Sequence, residues 1–275
     1  MSRNQALLAP RLGLGTWKMG SSPGERNAEV AALRAGIEMG VNLIDTAEMY
    51  ASGGAEEVTG EAISHYDRES LYIVTKVLPS NASREGTIQA CEASLKRLGI
   101  DQVDLYLLHW VSSYPLAGTV EAFETLAERG LIKSWGVSNF DVYEMQDLYR
   151  LDAGGNCGVN QVYYSLGQRG VEFDLLPWQV EHDVATMAYC PLDKGRLPKD
   201  MRLLSIAEKH RATIAQIGLA YLMQNPSVVP IPKSSNVSRV KENANARSIR
   251  LDKEDLDQLD AIYPPPERAM PLFTS

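Results

Sequence analysis

The sequence has few cysteines and no excess of basic residues, and both absences narrow the classes of protein to consider. Its 275 residues include three cysteines, Cys91, Cys157 and Cys190, whose wide spacing does not suggest a disulfide framework or a metal-binding pair. Lysine and arginine number 27 against 35 acidic residues, and this net charge of -8 argues against a general nucleic-acid binder. We therefore expect a protein of the reducing cytoplasm without a nucleic-acid partner.

Long apolar runs are also missing. The first residues show no long apolar segment after a basic start, so we expect no signal peptide. No run approaches the roughly 20 apolar residues that cross a bilayer, so we expect no membrane partner. A dinucleotide fingerprint is missing as well, since Gly13 and Gly15 begin a G-x-G-x-x-G pattern but Lys18 stands at its third glycine. This stretch therefore does not support a Rossmann domain.

Strand-like and helix-like segments alternate along the chain. Helices are predicted over 25–39 and near 83–98, the second with Ser83 as its N-cap and Gly99 as its end. Thr119 is predicted to cap the helix that follows. The eight strand candidates are 11–15, 42–45, 72–75, 103–108, 132–137, 158–162, 184–189 and 227–231.

This alternation predicts an α/β protein with a parallel sheet, because parallel strands need crossover helices. Eight units without an interrupting linker favour a closed (β/α)8 TIM barrel over an open sheet covered by helices. The length is close to the roughly 250 residues typical of such barrels. We predict one domain, residues 1–275, in which the proline-rich end, residues 266–275, is an irregular tail.

Three of the predicted strands lead into an ionisable side chain. Asp45, Lys76 and His109 stand at these strand ends, and Tyr50 follows Asp45 by five residues. Ionisable groups at the ends of buried strands are costly without partners, which favours a chemical role for them. In a TIM barrel the carboxyl ends of the strands meet at the active-site face. The four residues are therefore predicted to form a proton-transfer site without a metal.

Such a site suits protonation of a carbonyl oxygen as hydride arrives at its carbon. A tyrosine titrates at about 10, and a neighbouring Lys76 ammonium is expected to lower the pKa of Tyr50. Asp45 would hold Lys76 in place, and His109 would donate a hydrogen bond to the carbonyl oxygen. Each residue alone also has a structural explanation, as a cap, an ion-pair partner, a core histidine or a packed tyrosine. The joint arrangement at successive strand ends favours catalysis.

A candidate anion site follows the last predicted strand. The segment 229–243 leaves that strand and opens a helix, whose free N–H groups attract anions. Lys233, Ser234, Asn236 and Arg239 add hydrogen-bond donors and positive charge to it. From these residues alone, the solvated basic start of a helix is an equally open explanation.

Seven short motifs occur in a fixed order. They are Gly13-Leu-Gly-Thr-Trp17, Asp45-Thr-Ala-Glu-Met-Tyr50, Thr75-Lys76, Asp104-Leu-Tyr-Leu-Leu-His109, Gly136-Val-Ser-Asn-Phe140, Asn160-Gln161 and Ile231-Pro-Lys-Ser234 through Glu242-Asn243. Each is weak alone, but their order and spacing resemble the aldo-keto reductase family over nearly the whole chain. The run 160–178 is similar to bacterial members of the methylglyoxal-reducing kind.

The resemblance implies a β/α barrel that binds NADP(H) without a Rossmann domain. It implies NADPH-dependent reduction of aldehydes or ketones, with Tyr50 as the proton donor of a tetrad completed by Asp45, Lys76 and His109. Small aldehydes or 2-oxoaldehydes such as methylglyoxal are the expected substrates, and a monomer is expected. The alternative is a cofactor-binding regulatory member with little turnover. A two-carboxylate glycosidase is set aside, because the strand ends offer only Asp45 as a carboxylate.

The resemblance also implies which residues contact the cofactor. The nicotinamide carboxamide would be held by Ser138, Asn139 and Gln161, and Tyr189 would stack on the nicotinamide ring. The 2′-phosphate would be held by Lys233, Ser234 and Arg239, and the adenine by Glu242 and Asn243. The full cofactor set is Gly15, Thr16, Trp17, Asp45, Ser138, Asn139, Gln161, Tyr189, Pro191, Leu192, Lys194, Lys233, Ser234, Asn236, Arg239, Glu242 and Asn243, and the substrate pocket set is Trp17, Tyr50, His109 and Trp110.

The chain departs from the family pattern in two places. Many members have Ser-Pro-Leu-Gly after the stacking tyrosine, whereas this chain has Cys190-Pro-Leu-Asp193. Lys194 follows, and we expect it to reach the cofactor pyrophosphate. The segment 110–118 and the C-terminal tail are short where many members carry longer loops, so we expect a more open substrate pocket.

Overall fold

The computed structural model of the protein describes residues 12–196 and 201–274. Its strands are β1 (Gly13–Gly15), β2 (Leu43–Asp45), β3 (Tyr72–Val77), β4 (Val103–Leu108), β5 (Ile132–Ser138), β6 (Val159–Tyr163), β7 (Ala185–Tyr189) and β8 (Val228–Pro230). They form one parallel sheet in which each strand pairs with the next along the chain. The sheet curls until Gly15 bridges Lys233 just after β8. The predicted (β/α)8 TIM barrel is confirmed.

Helices connect the strands, as parallel pairing requires. The predicted order of helices and strands is right, and the bounds differ by only a few residues. The helix over 83–98 begins after Ser83, whose side chain accepts a hydrogen bond from the Gly86 amide, and ends at Gly99 in the left-handed conformation. The described helices are α1 (Arg26–Glu38), α2 (Gly54–Ile63), α3 (Arg84–Leu98), α4 (Leu116–Glu128), α5 (Val142–Tyr149), α6 (Leu175–Glu181), α7 (Met201–Lys209), α8 (Ile214–Leu222), α9 (Val237–Asn245) and α10 (Lys253–Ile262).

One predicted helix start is wrong, and one predicted strand start lies outside the described residues. Thr119 does not cap a helix, because α4 already begins at Leu116 with Pro115 at its N-cap. The Thr119 hydroxyl is buried and donates to the Ala82 carbonyl oxygen at 2.7 Å, so it ties α4 to the loop before α3. The first strand begins at Gly13, and Arg11, where the predicted strand starts, lies outside the described residues.

The inward-facing positions of the strands explain where the polar residues lie. Side chains in a strand alternate between its two faces, so every second residue points the same way. One apolar cluster consists only of strand residues and the residue after β8, and it fills the barrel interior. The position two residues after a cluster member faces the same way. At the carboxyl ends of several strands, this position holds a polar side chain on the rim of the barrel. The cluster comprises Leu43, Val74, Leu105, Leu107, Val159, Ala185, Met187, Val229 and Ile231.

Outside the barrel, a larger apolar cluster packs the other strand face against the helices. Residues 264–274 form no helix or strand. Within this tail, Phe273 contacts Tyr163 with ring centroids 4.7 Å apart. In the ranges 12–196 and 201–274, no helix has the length and apolar character needed to cross a membrane.

Small residues allow neighbouring strands to approach closely. A β-carbon on Gly15 would lie 2.9 Å from the Ile231 carbonyl oxygen, at the place where the barrel closes. A β-carbon on Gly136 in β5 would lie 2.3 Å from the Val159 carbonyl oxygen. Both glycines are therefore needed for strand packing. Gly15 thus has a role unrelated to the dinucleotide fingerprint, whose third glycine is missing.

We predict that Gly136→Ala lowers the free energy of unfolding by about 1–3 kcal/mol, because an added methyl must push β5 away from Val159. Equilibrium unfolding in urea measures this loss. Gly155→Ala is the matched control, since no atom lies within 4 Å of its notional β-carbon. Equal stability losses in the two variants would show that the close approach of β5 and β6 does not constrain position 136.

Candidate active site

The residues predicted at the strand ends meet at one rim of the barrel. Asp45 ends β2, Lys76 lies near the end of β3, and His109 directly follows β4. Tyr50 opens a short 3-10 helix in the loop after β2. Lys76 Nζ lies 2.8 Å from Asp45 Oδ2 and 3.3 Å from Tyr50 Oη, and the Tyr50 and His109 ring centroids are 5.7 Å apart. The four side chains therefore form one cluster, as the sequence predicted.

Lys76 lies at the centre of this cluster. Its side chain is fully buried, and its ammonium donates to Asp45 Oδ2, to the Thr46 carbonyl oxygen and to Tyr50 Oη. An ammonium has three N–H donors, so each has a partner. Burial lowers the pKa of Lys76, and the carboxylate of Asp45 opposes this decrease. The Thr46 carbonyl was not predicted, because a backbone partner leaves no signal in the sequence.

Asp45 connects Lys76 to the opposite side of the barrel. Its Oδ1 accepts a hydrogen bond of 2.7 Å from Gln161 Nε2 on β6, while Oδ2 accepts from Lys76. Its backbone carbonyl accepts from the Thr16 hydroxyl and amide, both at 3.0 Å. The buried carboxylate thus has partners from β3 and β6, and the backbone of Asp45 is held by the segment after β1. These contacts hold Asp45 in a fixed position beside Lys76.

Tyr50 differs electrostatically from the sequence-based expectation. Burial raises the pKa of its hydroxyl well above the usual value, and the Asp45 carboxylate and then the Cys190 side chain raise it further. The prediction that the pKa of Tyr50 is lowered is wrong, because burial of the hydroxyl dominates. The hydroxyl is therefore protonated at neutral pH and is available as a proton donor.

His109 is a neutral side chain in this environment. Burial, together with the Lys76 charge, lowers the pKa of His109 to about 3. Its Nδ1 is buried and has no hydrogen-bond partner among the described residues. Trp110 packs beside it with ring centroids 4.9 Å apart. A neutral imidazole can donate one hydrogen bond without being a strong acid, so this residue is suited to orienting a carbonyl group.

A second group of predicted residues lies on the neighbouring strands. Tyr189 Oη donates to Asn139 Oδ1 at 2.7 Å, and Asn139 Nδ2 donates to the His109 carbonyl oxygen and to Ser138 Oγ, each at 3.1 Å. The Ser138 hydroxyl donates to the Gln161 carbonyl oxygen at 2.8 Å. Asn139 has a φ of 59°, a conformation that asparagine tolerates better than most residues. The predicted nicotinamide contacts thus adjoin the tetrad.

The third group surrounds the start of α9. Asn236 is its N-cap and accepts from the Arg239 amide at 3.1 Å, while Ser234 Oγ accepts from the Asn236 amide at 3.1 Å. Lys233 and Arg239 are exposed and form no ion pair within the part of the chain that the structure describes. Unpaired cations beside a helix N-terminus suit a phosphate group. The bridge from Gly15 to Lys233 places this group next to β1.

Glu242 and Asn243 lie further along α9. Glu242 Oε1 accepts from the Thr213 hydroxyl at 2.7 Å, which links it to the start of α8. Asn243 is buried. Their adenine contacts remain predictions.

Aromatic and basic side chains surround the mouth of the rim. Trp17 and Trp110 are each 39% exposed. Lys194 Nζ lies 5.7 Å from the centroid of the Trp17 ring, so the loop after β7 reaches the segment after β1. In that loop Pro191 is buried and Leu192 is half-buried. The cations, amides and aromatic faces along this rim fit a phosphorylated cofactor with an aromatic ring.

Sequence reasoning did not assign a role to Tyr163. It lies on β6 two residues beyond Gln161, in the same inward register, and contacts Tyr189 with ring centroids 5.3 Å apart. Its hydroxyl donates to Asp193 Oδ1 at 2.5 Å. Counting by twos beyond Gln161 could have located its ring, but nothing in the sequence links it to Asp193.

Comparisons with known proteins identify the family of this chain. A family model described as the aldo/keto reductase family matches residues 11–264. Methylglyoxal reductase YeaE of Escherichia coli (strain K12) is 48% identical over 263 residues, which are 94% of this chain and 92% of that protein. Glyoxal reductase of Bacillus subtilis (strain 168) is 36% identical over 255 residues, covering 92% and 88%.

Solved structures give the same result. The crystal structure of an aldo/keto reductase from Klebsiella pneumoniae in complex with NADP and acetate has a TM-score of 0.94 and 47% identity, covering 96% of this chain and 95% of that one. A second structure from that organism, in complex with NADPH, has the same TM-score of 0.94, identity of 47% and coverage of 96% and 95%.

We predict that Asp45→Ala lowers the free energy of unfolding by about 3–5 kcal/mol, because it leaves the Lys76 ammonium buried without its counter-ion. Urea unfolding measures the change. Asp257→Ala is the control, since it breaks the exposed Lys253–Asp257 ion pair and should cost less than about 1 kcal/mol. A loss as small as that of the control would show that the buried pair does not stabilise the rim.

Proposed function

The chain belongs to the aldo/keto reductase family and is an NADP(H)-dependent oxidoreductase, and we propose that it reduces small aldehydes and 2-oxoaldehydes such as methylglyoxal. Two relatives named for methylglyoxal and glyoxal reduction support this substrate class. The contacts of the Lys76 ammonium with both Asp45 and Tyr50 carry the mechanistic part of the proposal.

The tetrad performs the proton transfer. Bound NADPH supplies the hydride for the carbonyl carbon. The Tyr50 hydroxyl donates its proton to the carbonyl oxygen, and the Lys76 ammonium, 3.3 Å away, stabilises the tyrosinate that remains. Asp45 holds Lys76 in position, and the neutral His109 ring donates a hydrogen bond that orients the carbonyl oxygen.

The raised pKa of Tyr50 is compatible with this role. An acid that titrates well above neutral pH is fully protonated before each reaction, so no active enzyme is lost to the tyrosinate form. The difficulty of releasing the proton is reduced by Lys76, which is held beside Oη before the transfer begins. The alkoxide that forms on hydride arrival is the base that takes the proton.

Cofactor binding is proposed for the remaining groups on the rim. Lys233, Ser234 and Arg239 at the start of α9 would hold the 2′-phosphate, and the helix N-terminus adds to the attraction. Ser138, Asn139 and Gln161 would hold the nicotinamide carboxamide beside the Tyr189 ring, and the remaining predicted contacts would follow the cofactor between these two ends.

A small substrate is proposed from the short loop after β4. This loop runs from His109 to Pro115 and exposes Trp110, Val111 and Tyr114 by 39–45%. Exposed apolar side chains at the mouth leave the tetrad open to a compact molecule and provide few polar contacts for a sugar.

We further propose a monomeric, single-domain protein of the cytoplasm. Free thiols at Cys91, Cys157 and Cys190 are in keeping with a reducing compartment.

We predict that the protein oxidises NADPH when methylglyoxal is supplied. Tyr50→Phe should lower kcat by at least about 100-fold, because the phenylalanine ring keeps the packing but has no hydroxyl proton to donate. NADPH absorbance measures turnover, and a fluorescence titration should show NADPH binding within about twofold of the unaltered protein. Tyr143→Phe, which changes a side chain 71% exposed, is the control and should leave kcat unchanged. Near-normal turnover by Tyr50→Phe would refute the proposed proton donor.

We predict that Lys233→Ala combined with Arg239→Ala weakens NADPH binding by about 100-fold, because two charged contacts with the 2′-phosphate are lost. NADH lacks this phosphate, so its affinity should change little. Lys241→Ala is the control on the same helix, since Lys241 is exposed beyond the first turn. Titration of all variants with both cofactors distinguishes the outcomes, and equal losses for NADPH and NADH would contradict the assignment.

A further inference from the structure

We propose that Tyr163 is a positioning residue of the cofactor site, whose ring supports Tyr189 and whose hydroxyl fixes the loop 190–196 through Asp193. The proposal rests on the function above, since it depends on the cofactor role proposed for Tyr189 and Lys194. Neither Tyr163 nor Asp193 belongs to the predicted site.

The ring of Tyr163 has aromatic neighbours on two sides. Tyr189 lies opposite it in the β6–β7 pairing, with ring centroids 5.3 Å apart and an angle of 71° between the planes. Phe273 of the C-terminal tail contacts it at 4.7 Å and 78°. The buried Tyr163 ring thus connects the tail to Tyr189, and it limits the directions in which the Tyr189 ring can move.

The loop 190–196 has a backbone that needs external support. Cys190, Asp193 and Lys194 have φ angles of 49°, 47° and 55°, in the left-handed region that side chains other than glycine rarely adopt. Such conformations persist where surrounding contacts hold them. A contact that holds Asp193 therefore supports the conformation of the whole loop.

That contact is the hydrogen bond from Tyr163 Oη to Asp193 Oδ1, 2.5 Å long. Burial and the nearby Asp193 carboxylate raise the pKa of Tyr163, so its hydroxyl remains a donor at neutral pH. The same loop carries Lys194, whose ammonium lies 5.7 Å from the Trp17 ring centroid on the far side of the site. A contact that holds Asp193 therefore also holds the backbone of its neighbour Lys194, whose side chain extends toward Trp17.

The ring and the hydroxyl of Tyr163 should have separable effects. Tyr163→Phe keeps the ring and removes the hydroxyl, so NADPH affinity should fall about tenfold, as expected for loss of a hydrogen bond to a charged acceptor. At saturating NADPH the single-turnover rate of hydride transfer to methylglyoxal should remain within about twofold. Tyr163→Leu removes the ring as well, and hydride transfer should then slow in addition.

A double-mutant cycle tests whether the hydroxyl acts through Asp193. Asp193→Ala should weaken NADPH binding to the same extent as Tyr163→Phe, and the combined variant should be no weaker than either one. Asp193→Asn keeps an oxygen acceptor and should restore most of the affinity. Additive losses in the combined variant would overturn the proposed contact.

Tyr164→Phe is the matched control. The Tyr164 hydroxyl also donates to a carboxylate oxygen, Glu172 Oε1, at 2.7 Å. Glu172 lies outside the loop 190–196. Its NADPH affinity should equal that of the unaltered protein, even where its thermal stability falls as far as that of Tyr163→Phe. A loss of NADPH affinity in Tyr164→Phe equal to that in Tyr163→Phe would reduce the effect to general destabilisation and overturn the proposal.

The proposed function and this inference can fail separately. If the unaltered protein reduces methylglyoxal but Tyr163→Phe and Asp193→Ala bind NADPH normally, the positioning role is wrong and the reductase function stands. If the unaltered protein binds NADPH but turns over no carbonyl compound, the proposed substrate class is wrong, and a weaker NADPH affinity in both variants still supports the positioning role.

Discussion

The architecture of the rim depends on one buried ammonium. Lys76 has no exposed surface, and an unpaired charge in such a place would be strongly unfavourable. Its three donors are met by Asp45, the Thr46 carbonyl and Tyr50, which come from β2 and the loop that follows it. The strand pairing of β2 with β3 and the course of the following loop must therefore be correct for the charge to be tolerated. Stability and catalytic geometry share the same contacts.

The barrel makes this arrangement possible through its strand register. Inward-facing positions are apolar in the middle of the barrel and polar at the carboxyl ends, so Asp45, Lys76 and Gln161 meet above a packed interior. The hydrogen bond from Gln161 to Asp45 joins residues 116 positions apart in the chain. Closure of the sheet at Gly15 and Lys233 then brings the proposed phosphate-binding segment to the same rim. One register thus aligns the proposed proton donor, Tyr50, with the proposed cofactor site.

The loops around the rim add what the strands cannot provide. Asn139 and the loop 190–196 use left-handed backbone conformations, and each is held by a tyrosine hydroxyl from the barrel end, Tyr189 in one case and Tyr163 in the other. A rigid scaffold with strained loops is a common way to place functional groups. Both segments directly follow strands, β5 and β7, at the rim of the barrel.

The sequence by itself determined the order of strands and helices, the barrel and the four polar residues that meet at its rim, because these depend on local periodicity and on motifs of fixed spacing. Tertiary structure decided the rest. Thr119 was predicted as a cap but bonds Ala82, 37 residues away, and the pKa of Tyr50 rises where a nearby lysine predicted a fall. The bond between Tyr163 and Asp193 had no local signal. Hydrogen-bond partners distant in the chain and the degree of burial arise only when the chain is folded, so residue spacing does not encode them in a readable form.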